Sequence, residues 1–191
     1  MPSSASHLLI QIRAAAGAHL ILIVRNPQII QEALEEIRAV GGDFHIYPYD
    51  LASREQVLRI VPDMIAYGHE IDIFVHCAGI QHRSPAEDFA DTEWDNILSV
   101  NLTAGFQISR DLAKNWLNTT LKGYNGQSRI RKKILFVASV MSFMGGVEIP
   151  AYTASKGAIA QLTKALNNEW MAKGINVNAS EYFPLCLVFS L

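Results

Sequence analysis

The stretch IDIFVHCAG, residues 71–79, decides the fold class because its apolar side chains stand mostly on consecutive positions rather than alternate ones. Such a run is typical of a strand that is covered on both faces, as in a parallel sheet between layers of helices. Four further strands are predicted at 19–25, 43–50, 132–139 and 175–180, and most of them follow the same pattern. Helical patterns separate the strands. The sequence therefore predicts a doubly wound α/β fold with right-handed crossovers.

Residues that start or stop helices occupy the segments between these strands. They are Asn26 before Pro27, Gly41, Ser53 with Gln56, Thr92 as the cap of a segment running to about Asn118, and Gly174. The stretch 118–133 is predicted as a polar loop whose five basic residues form a solvated surface.

Composition narrows the class of protein. A chain of 191 residues predicts one domain over 1–191. Its formal net charge of −2 predicts no attraction to nucleic acid or anionic membrane. The N-terminus lacks the pattern of a signal peptide, and Cys77 and Cys186 are interpreted as reduced thiols. We therefore expect a cytoplasmic protein without a membrane-spanning helix.

Ligands of open α/β sheets bind at the carboxyl ends of the strands, so the residues that follow each strand are candidates. Arg25 would suit a 2′-phosphate, or would be a solvated loop residue. Asp50 could accept from an adenine amino group, or be a turn residue. Ala78 and Gly79 would let a ligand approach the backbone closely.

Two other chemistries are disfavoured at the strand ends. His76, Cys77 and His82 are possible metal ligands, but a strand directs His76 and Cys77 to opposite faces and no fourth ligand is evident. We therefore predict no metal site. Ser139 ends a strand without the G-x-S-x-G pattern of a serine nucleophile.

The segment AYTASKGAIAQL, 151–162, places Tyr152 and Lys156 one helical turn apart on one face. A nearby ammonium favours the phenolate and lowers the pKa of a tyrosine, which would suit general acid–base work on a hydroxyl/carbonyl pair. Taken alone, this spacing is also common by chance.

Several motifs in order make the chain resemble the short-chain dehydrogenase/reductase family. They are DL at 50–51, HCAG at 76–79, SVNLTAGF around Asn101, FVASV around Ser139 and YTASK at 152–156. The similarity extends over about 14–178, followed by a divergent tail at 180–191. Within the family, the segments around these motifs most resemble the 2-deoxy-D-gluconate 3-dehydrogenase-like members.

The resemblance implies a Rossmann-like doubly wound parallel sheet and NAD or NADP as cofactor, with a mild preference for NADP because of Arg25. Tyr152 would exchange the proton, Lys156 would lower its pKa and bind the nicotinamide ribose, Ser139 would bind the substrate oxygen, and Asn101 would hold a relay water. The implied cofactor-binding residues are Arg25, Asp50, Leu51, Cys77, Ala78, Gly79, Tyr152 and Lys156. His82 and Met141 are the expected substrate contacts.

The resemblance further implies a secondary alcohol or ketone of a sugar acid or polyol as substrate. It also implies a homodimer or homotetramer formed through the helices that carry Asn101 and Tyr152.

The sequence departs from the family at both ends. The last glycine of the family's glycine-rich turn is expected near Ser6, yet no glycine precedes Gly17, and the Pro-Gly turn after 175–180 is missing. We therefore expect an incomplete sheet, lacking its first strand and its C-terminal strand, in a chain truncated at both ends. The alternative to an active enzyme is an inactive fragment that acts as an interaction or dimerisation module.

Overall fold

The computed structural model describes residues 17–122 and 131–180. The chain divides into two units, Met1–Leu51 and Ala52–Leu191. The predicted position of the glycine-rich turn near Ser6, Cys186 and the tail after Ser180 lie outside the described residues. The extent of a single domain over 1–191 stays a prediction.

The first unit is a β–α–β arrangement. Strand β1, Leu20–Ile23, is followed by a 3-10 turn, Pro27–Ile30, helix α1, Gln31–Ala39, and strand β2, Phe44–Tyr47. The two strands are parallel, with Leu20 opposite Phe44. The Asn26 side chain accepts a hydrogen bond from the Gln28 N–H, which confirms the predicted start of this helical segment. Ile30, Leu34 and Ile37 form the core against the strands.

The second unit alternates helices and strands in the predicted order. Its helices are α2 (Arg54–Ala66), α3 (Asp91–Leu98), α4 (Ala104–Asn118) and α5 (Pro150–Trp170), and its strands are β3 (Ile73–His76), β4 (Lys132–Val137) and β5 (Ile175–Ser180). Shorter 3-10 turns lie at Ala86–Asp88, Val140–Ser142 and Met171–Lys173, and a π-helical segment, Ser99–Thr103, joins α3 to α4. Gly174, at φ +91°, ends the helical run before β5 as predicted.

Strands β3, β4 and β5 form a parallel sheet in that order, with His76 opposite Phe136 and Phe136 opposite Ala179. Because the strands are parallel, their carboxyl ends meet at one edge, which is where a ligand site is expected. The five described strands thus form two sheets, of two and three strands. This confirms the parallel α/β class, and the strands found across 17–122 and 131–180 are consistent with the expected partial fold.

Buried apolar side chains hold these layers together. Helices α2 and α4 pack against each other through buried residues such as Ile60 and Leu112, and α5 packs on β5. Phe136 on β4 and Ile175 on β5 have no exposed surface. Within 17–122 and 131–180, every helix is too short or too polar to span a bilayer.

Two local predictions were wrong. Thr92 does not cap its helix, because α3 already begins at Asp91 and Ala90 is the residue that caps it. Lys132 does not belong to a solvated loop, because it begins β4 and is only 3% exposed. Its ammonium donates to Asp72 Oδ1 at 2.7 Å and to the Ile71 carbonyl at 3.1 Å.

Candidate active site

The carboxyl end of β3 and the first half of α5 bring Asn101 and Lys156 together beside Gly79. A Cβ atom placed on Gly79 would lie 3.7 Å from Asn101 Oδ1 and 3.7 Å from Lys156 Nζ. The amide oxygen and the ammonium therefore converge on the same short piece of backbone. Gly79 presents no side chain there, so the peptide remains open to a ligand.

Asn101 is fully buried in the π-helical segment and fastens the chain that follows β3. Its Oδ1 accepts from the Ile80 N–H at 2.8 Å, and its Nδ2 donates to the Ile80 carbonyl at 3.0 Å. The second Nδ2 hydrogen goes to Ser155 Oγ at 3.1 Å. Both Nδ2 hydrogens are thus engaged, so further polar contacts of this side chain fall to the remaining lone pair of Oδ1.

Lys156 is buried, with 4% of its surface exposed, and its Nζ donates to the Val137 carbonyl at 2.6 Å. Burial lowers the pKa of this ammonium to about 8, and the nearby thiol of Cys77 partly opposes that lowering. A lysine with such a pKa carries its proton at neutral pH but can release it readily.

Tyr152 lies half-buried one turn before Lys156 on α5, with the Lys156 Nζ 5.7 Å from the centre of its ring. The structure thus places the pair on one face of the helix, as the spacing predicts. α5 begins with Pro150, which suits the first turn of a helix because its missing N–H needs no partner there. Tyr152 therefore lies in the first turn of the helix.

β4 ends at Val137, so Ser139 does not end the strand as predicted but is the second residue after it and begins a tight turn. Its Oγ accepts from the Met141 N–H at 3.2 Å, and its own N–H donates to Ser142 Oγ at 3.3 Å. The Ser142 hydroxyl donates to the Lys156 carbonyl at 2.9 Å, which ties this turn to α5. Because the Ser139 Oγ only accepts in this turn, its hydrogen can still be donated to a substrate oxygen.

The remaining predicted site residues occupy several places. Cys77 and Ala78 are half-buried between β3 and Gly79. His82 is exposed, 4.0 Å from a Glu93 carboxylate oxygen, and stacks edge-on against Phe89. Met141 lies beside Gly146, since a Cβ atom built on that glycine would be 3.0 Å from the Met141 sulfur. Three residues belong to the first unit, so their contacts with the cofactor stay predictions: Arg25, Asp50 and Leu51.

Ser155 is a residue of this site that sequence reasoning missed. It is fully buried, its Oγ accepts from Asn101 Nδ2, and its hydroxyl donates to the Tyr152 carbonyl at 2.7 Å. It thus links the Asn101 amide to the helical turn that carries Tyr152. A serine between these two motif residues, inside a helix, is a signal that could have pointed to it, since such a serine often bonds to the preceding turn.

His76 is buried rather than available to a metal. Its Nε2 lies 3.1 Å from the Val100 carbonyl. Burial, followed by the positive charge of Lys156, lowers the pKa of His76 to about 4, although hydrogen bonds to the backbone of Val100 and Asn101 oppose this. Across 17–122 and 131–180, no three His, Cys, Asp or Glu side chains are grouped so that they could hold a metal ion.

The residues present fit the nicotinamide end of a dinucleotide. An open glycine stands beside the buried ammonium of Lys156, a donor that suits ribose hydroxyls, and Tyr152 is next to it. The backbone turn expected to cradle the pyrophosphate falls near Ser6, outside the described residues.

A parallel α/β sheet with this Asn–Ser–Tyr–Lys arrangement at its carboxyl edge defines a class of dehydrogenases. The chain belongs to the short chain dehydrogenase family, whose sequence profile matches residues 9–181.

Individual relatives narrow the similarity. The chain is 38% identical over 167 residues to 2-dehydro-3-deoxy-D-gluconate 5-dehydrogenase of Pseudoalteromonas atlantica, covering 87% of this chain and 62% of the relative. It is 37% identical over 166 residues to the protein of the same name from Bacillus subtilis, covering 87% and 61%.

Solved structures of gluconate-type dehydrogenases are also similar to this chain. A 2-deoxy-D-gluconate 3-dehydrogenase from Agrobacterium tumefaciens with bound NADP gives a TM-score of 0.76 at 35% identity, covering 91% of this chain and 63% of that one. A gluconate 5-dehydrogenase from Beutenbergia cavernae with bound NADP gives 0.79 at 33% identity, covering 90% and 64%. The chain thus spans less than two thirds of the length of these relatives.

Proposed function

We propose that the protein is an NAD(P)-dependent oxidoreductase that interconverts a secondary alcohol and a ketone on a sugar acid or polyol. The observation that carries this proposal is the pair formed by Tyr152 and Lys156. A half-buried phenol lies 5.7 Å, ring centre to Nζ, from a buried ammonium whose pKa is lowered to about 8. Such a pair can hold and move a proton at neutral pH.

The proton steps follow from the contacts of these two side chains. In the oxidising direction, the Tyr152 oxygen takes the proton from the substrate hydroxyl while the carbonyl forms, and in the reducing direction it returns that proton. The Lys156 ammonium lies 5.7 Å from the centre of the Tyr152 ring and places a positive charge beside this proton-transfer step. When bound, the nicotinamide supplies the hydride transfer.

Ser139 and Asn101 have supporting roles in this proposal. The Ser139 hydroxyl donates to the substrate oxygen and stabilises the negative charge that develops on it. For Asn101, a relay water linked to Lys156 must bind the free lone pair of Oδ1 or the backbone carbonyl, because both Nδ2 hydrogens are engaged. Lys156 Nζ and Asn101 Oδ1 are both near the same point beside Gly79, which is consistent with a water between them.

The substrate class and the cofactor follow from the relatives. Four proteins named 2-dehydro-3-deoxy-D-gluconate 5-dehydrogenase are 34–38% identical to this chain, which supports a sugar acid as substrate. Arg25 is exposed after β1, and the structures of two similar proteins contain NADP. We therefore favour NADP over NAD.

The test measures cofactor binding and turnover separately. Quenching of tryptophan fluorescence by NADPH and NADH would report binding, and absorbance at the nicotinamide band would report oxidation of 2-keto-3-deoxygluconate and gluconate. We expect Tyr152→Phe to lower kcat roughly 10³-fold with the cofactor Kd unchanged. The matched control is Tyr67→Phe, at the end of α2, which should behave as the unchanged protein. Binding without turnover of any sugar acid or polyol would contradict the proposal.

We also propose that the helices carrying Asn101 and Tyr152 form the subunit contact of a homodimer or homotetramer. Phe106 on α4 is 36% exposed, with the Arg110 guanidinium 6.0 Å from its ring centre, so this helix presents an aromatic residue at the surface. Sedimentation of the protein and of a Phe106→Glu variant would test this contact. If the protein binds neither cofactor but still self-associates through Phe106, the inactive interaction module replaces the enzyme.

A further inference from the structure

The His76 side chain packs against α4 at Gly105, where only a glycine leaves room for it. The side chain is 4% exposed. A Cβ atom on Gly105 would lie 2.8 Å from His76 Cδ2, closer than real Cβ contacts, and 3.1 Å from its Nε2, which is a tight contact. The imidazole therefore lies directly against the helix backbone, and the absence of a side chain at position 105 makes its position possible.

The backbone that His76 contacts has an unusual winding. The Ala104 N–H donates to the Ser99 carbonyl, which is a step of five residues instead of four. Such wide turns displace carbonyl groups from the regular ladder of an α-helix, so that a side chain can bind them. Here the Val100 carbonyl lies 3.1 Å from His76 Nε2.

Asn101 lies within this wide turn. Asn101 directly follows Val100, and its amide both accepts from and donates to Ile80. If the segment rewound into a regular α-helix, the side chain of residue 101 would rotate away from Ile80, since one residue changes the direction of a side chain by about 100°.

We propose that His76 is a positioning residue, whose Nε2–H binds the Val100 carbonyl and holds the π-helical segment so that Asn101 reaches Ile80 and Ser155. The inference rests on the proposed function for its catalytic meaning, but its structural part can be measured without turnover. It assigns a role to a histidine that the sequence presents only as a possible metal ligand.

The protonation state of the imidazole supports this role. A carbonyl can only accept, so Nε2 must carry the hydrogen. The ring is neutral at pH 7, because burial and the charge of Lys156 lower the pKa of His76 to about 4. A neutral donor places no second positive charge beside Lys156.

The first experiment uses the unchanged protein. Nitrogen-15 NMR of the histidine ring distinguishes the two neutral tautomers, and we expect the hydrogen of His76 on Nε2 at pH 7. The other tautomer would overturn the proposal, because Nε2 would then have nothing to donate. This measurement needs no variant and remains decisive even if a substitution at this buried site prevents folding.

The second experiment compares substitutions by hydrogen exchange of the Ile80 amide, which donates to Asn101. We expect His76→Leu to accelerate this exchange roughly tenfold, as expected for a local opening after the loss of a hydrogen bond. His76→Gln keeps an N–H donor and should stay within about twofold of the unchanged protein. The control Phe74→Leu changes an aromatic neighbour on the same strand, 6.2 Å away between ring centres, and should also leave exchange unchanged.

Equal acceleration in the Gln and Leu variants, or full protection in a folded Leu variant, would contradict the role of the donor. Where turnover is found, His76→Leu should lower kcat without raising KM, and His76→Gln should restore it. If no turnover is found, the exchange data still decide the positioning of Asn101, so that failure of the proposed reaction is distinguished from failure of this inference.

Discussion

The two ends of strand β4 each have a buried lysine ammonium, and the two are held differently. Lys132, the first residue of β4, is 3% exposed and donates to both the Asp72 carboxylate and the Ile71 carbonyl. Lys156, from α5, is 4% exposed and donates to the carbonyl of Val137, the last residue of β4. Among the described residues, no carboxylate lies within ion-pair distance of Lys156.

The difference matches the catalytic role that we propose for Lys156 but not for Lys132. A buried ammonium with a single backbone acceptor and no carboxylate is costly, and the protein reduces that cost by weakening its hold on the proton. This is what the lowered pKa of Lys156 expresses. At the amino end of the sheet, Lys132 is paired with Asp72. At the carboxyl end, Lys156 can lose and regain its proton near neutral pH, as a proton-transfer site requires.

Replacing each lysine by methionine should affect turnover very differently, and this is the largest difference that we expect between them. We expect Lys156→Met to lower kcat roughly 10³-fold, because the proposed proton-transfer site loses the ammonium beside Tyr152. Lys132→Met, at the other end of the same strand, should leave turnover per folded molecule within about twofold. Steady-state kinetics on both variants, corrected for the folded fraction, make the comparison. Equal losses in the two would mean that the effect is one of folding.

The titration of Lys156 should appear in the stability of the protein. Its pKa falls from 10.5 to about 8 on folding. Between these values the unfolded chain binds the proton and the folded chain does not, so stability rises with pH across this window. The shift corresponds to about 3 kcal/mol in the free energy of unfolding. Urea denaturation at pH 7.5 and pH 10.5 should show this rise for the unchanged protein relative to Lys156→Met. If the free energies of unfolding of the unchanged protein and Lys156→Met differ by the same amount at both pH values, this result would contradict the lowered pKa.

Lys132→Met should act on stability instead. Two hydrogen bonds from a charged donor are lost, but the Ile71 carbonyl still accepts from Trp116 Nε1 at 2.8 Å, and Asp72 is 70% exposed and remains hydrated. No buried group is left without a partner, so we expect a loss of only about 1.5 kcal/mol in the free energy of unfolding. Chemical denaturation at pH 7 measures it. A loss above about 3 kcal/mol would show that the ion pair has a larger role than its contacts suggest.

The sequence predicted the carboxyl end of the sheet better than the amino end. The four-residue spacing of Tyr152 and Lys156 is a local property of a helix, so it correctly predicted that the two side chains share a face. The positions of the five strands were also predicted correctly, since runs of apolar residues indicate them directly, although four of the predicted ranges are longer than the strands.

What could not be predicted depends on contacts between distant segments. Lys132 stands where the predicted loop at 118–133 overlaps the predicted strand at 132–139, and only the pairing of β4 with its neighbours buries it. The role of His76 depends on a wide helical turn, and no pattern in the sequence marks such a turn. The serine at 155 was visible, but its partner lies 54 residues away.

Asp72→Asn tests how much of the contrast between the lysines is due to charge. Asparagine keeps an acceptor oxygen for Lys132 but removes the negative charge. Because Asp72 is 70% exposed, water screens its attraction, and we expect a loss below about 0.5 kcal/mol in the free energy of unfolding at pH 7. Chemical denaturation beside Lys132→Met gives the comparison. A loss equal to that of Lys132→Met would show that the carboxylate charge sets Lys132 apart. A small loss would instead mean that the two lysines differ mainly in their number of hydrogen-bond acceptors. Lys132 has two acceptors and Lys156 has one.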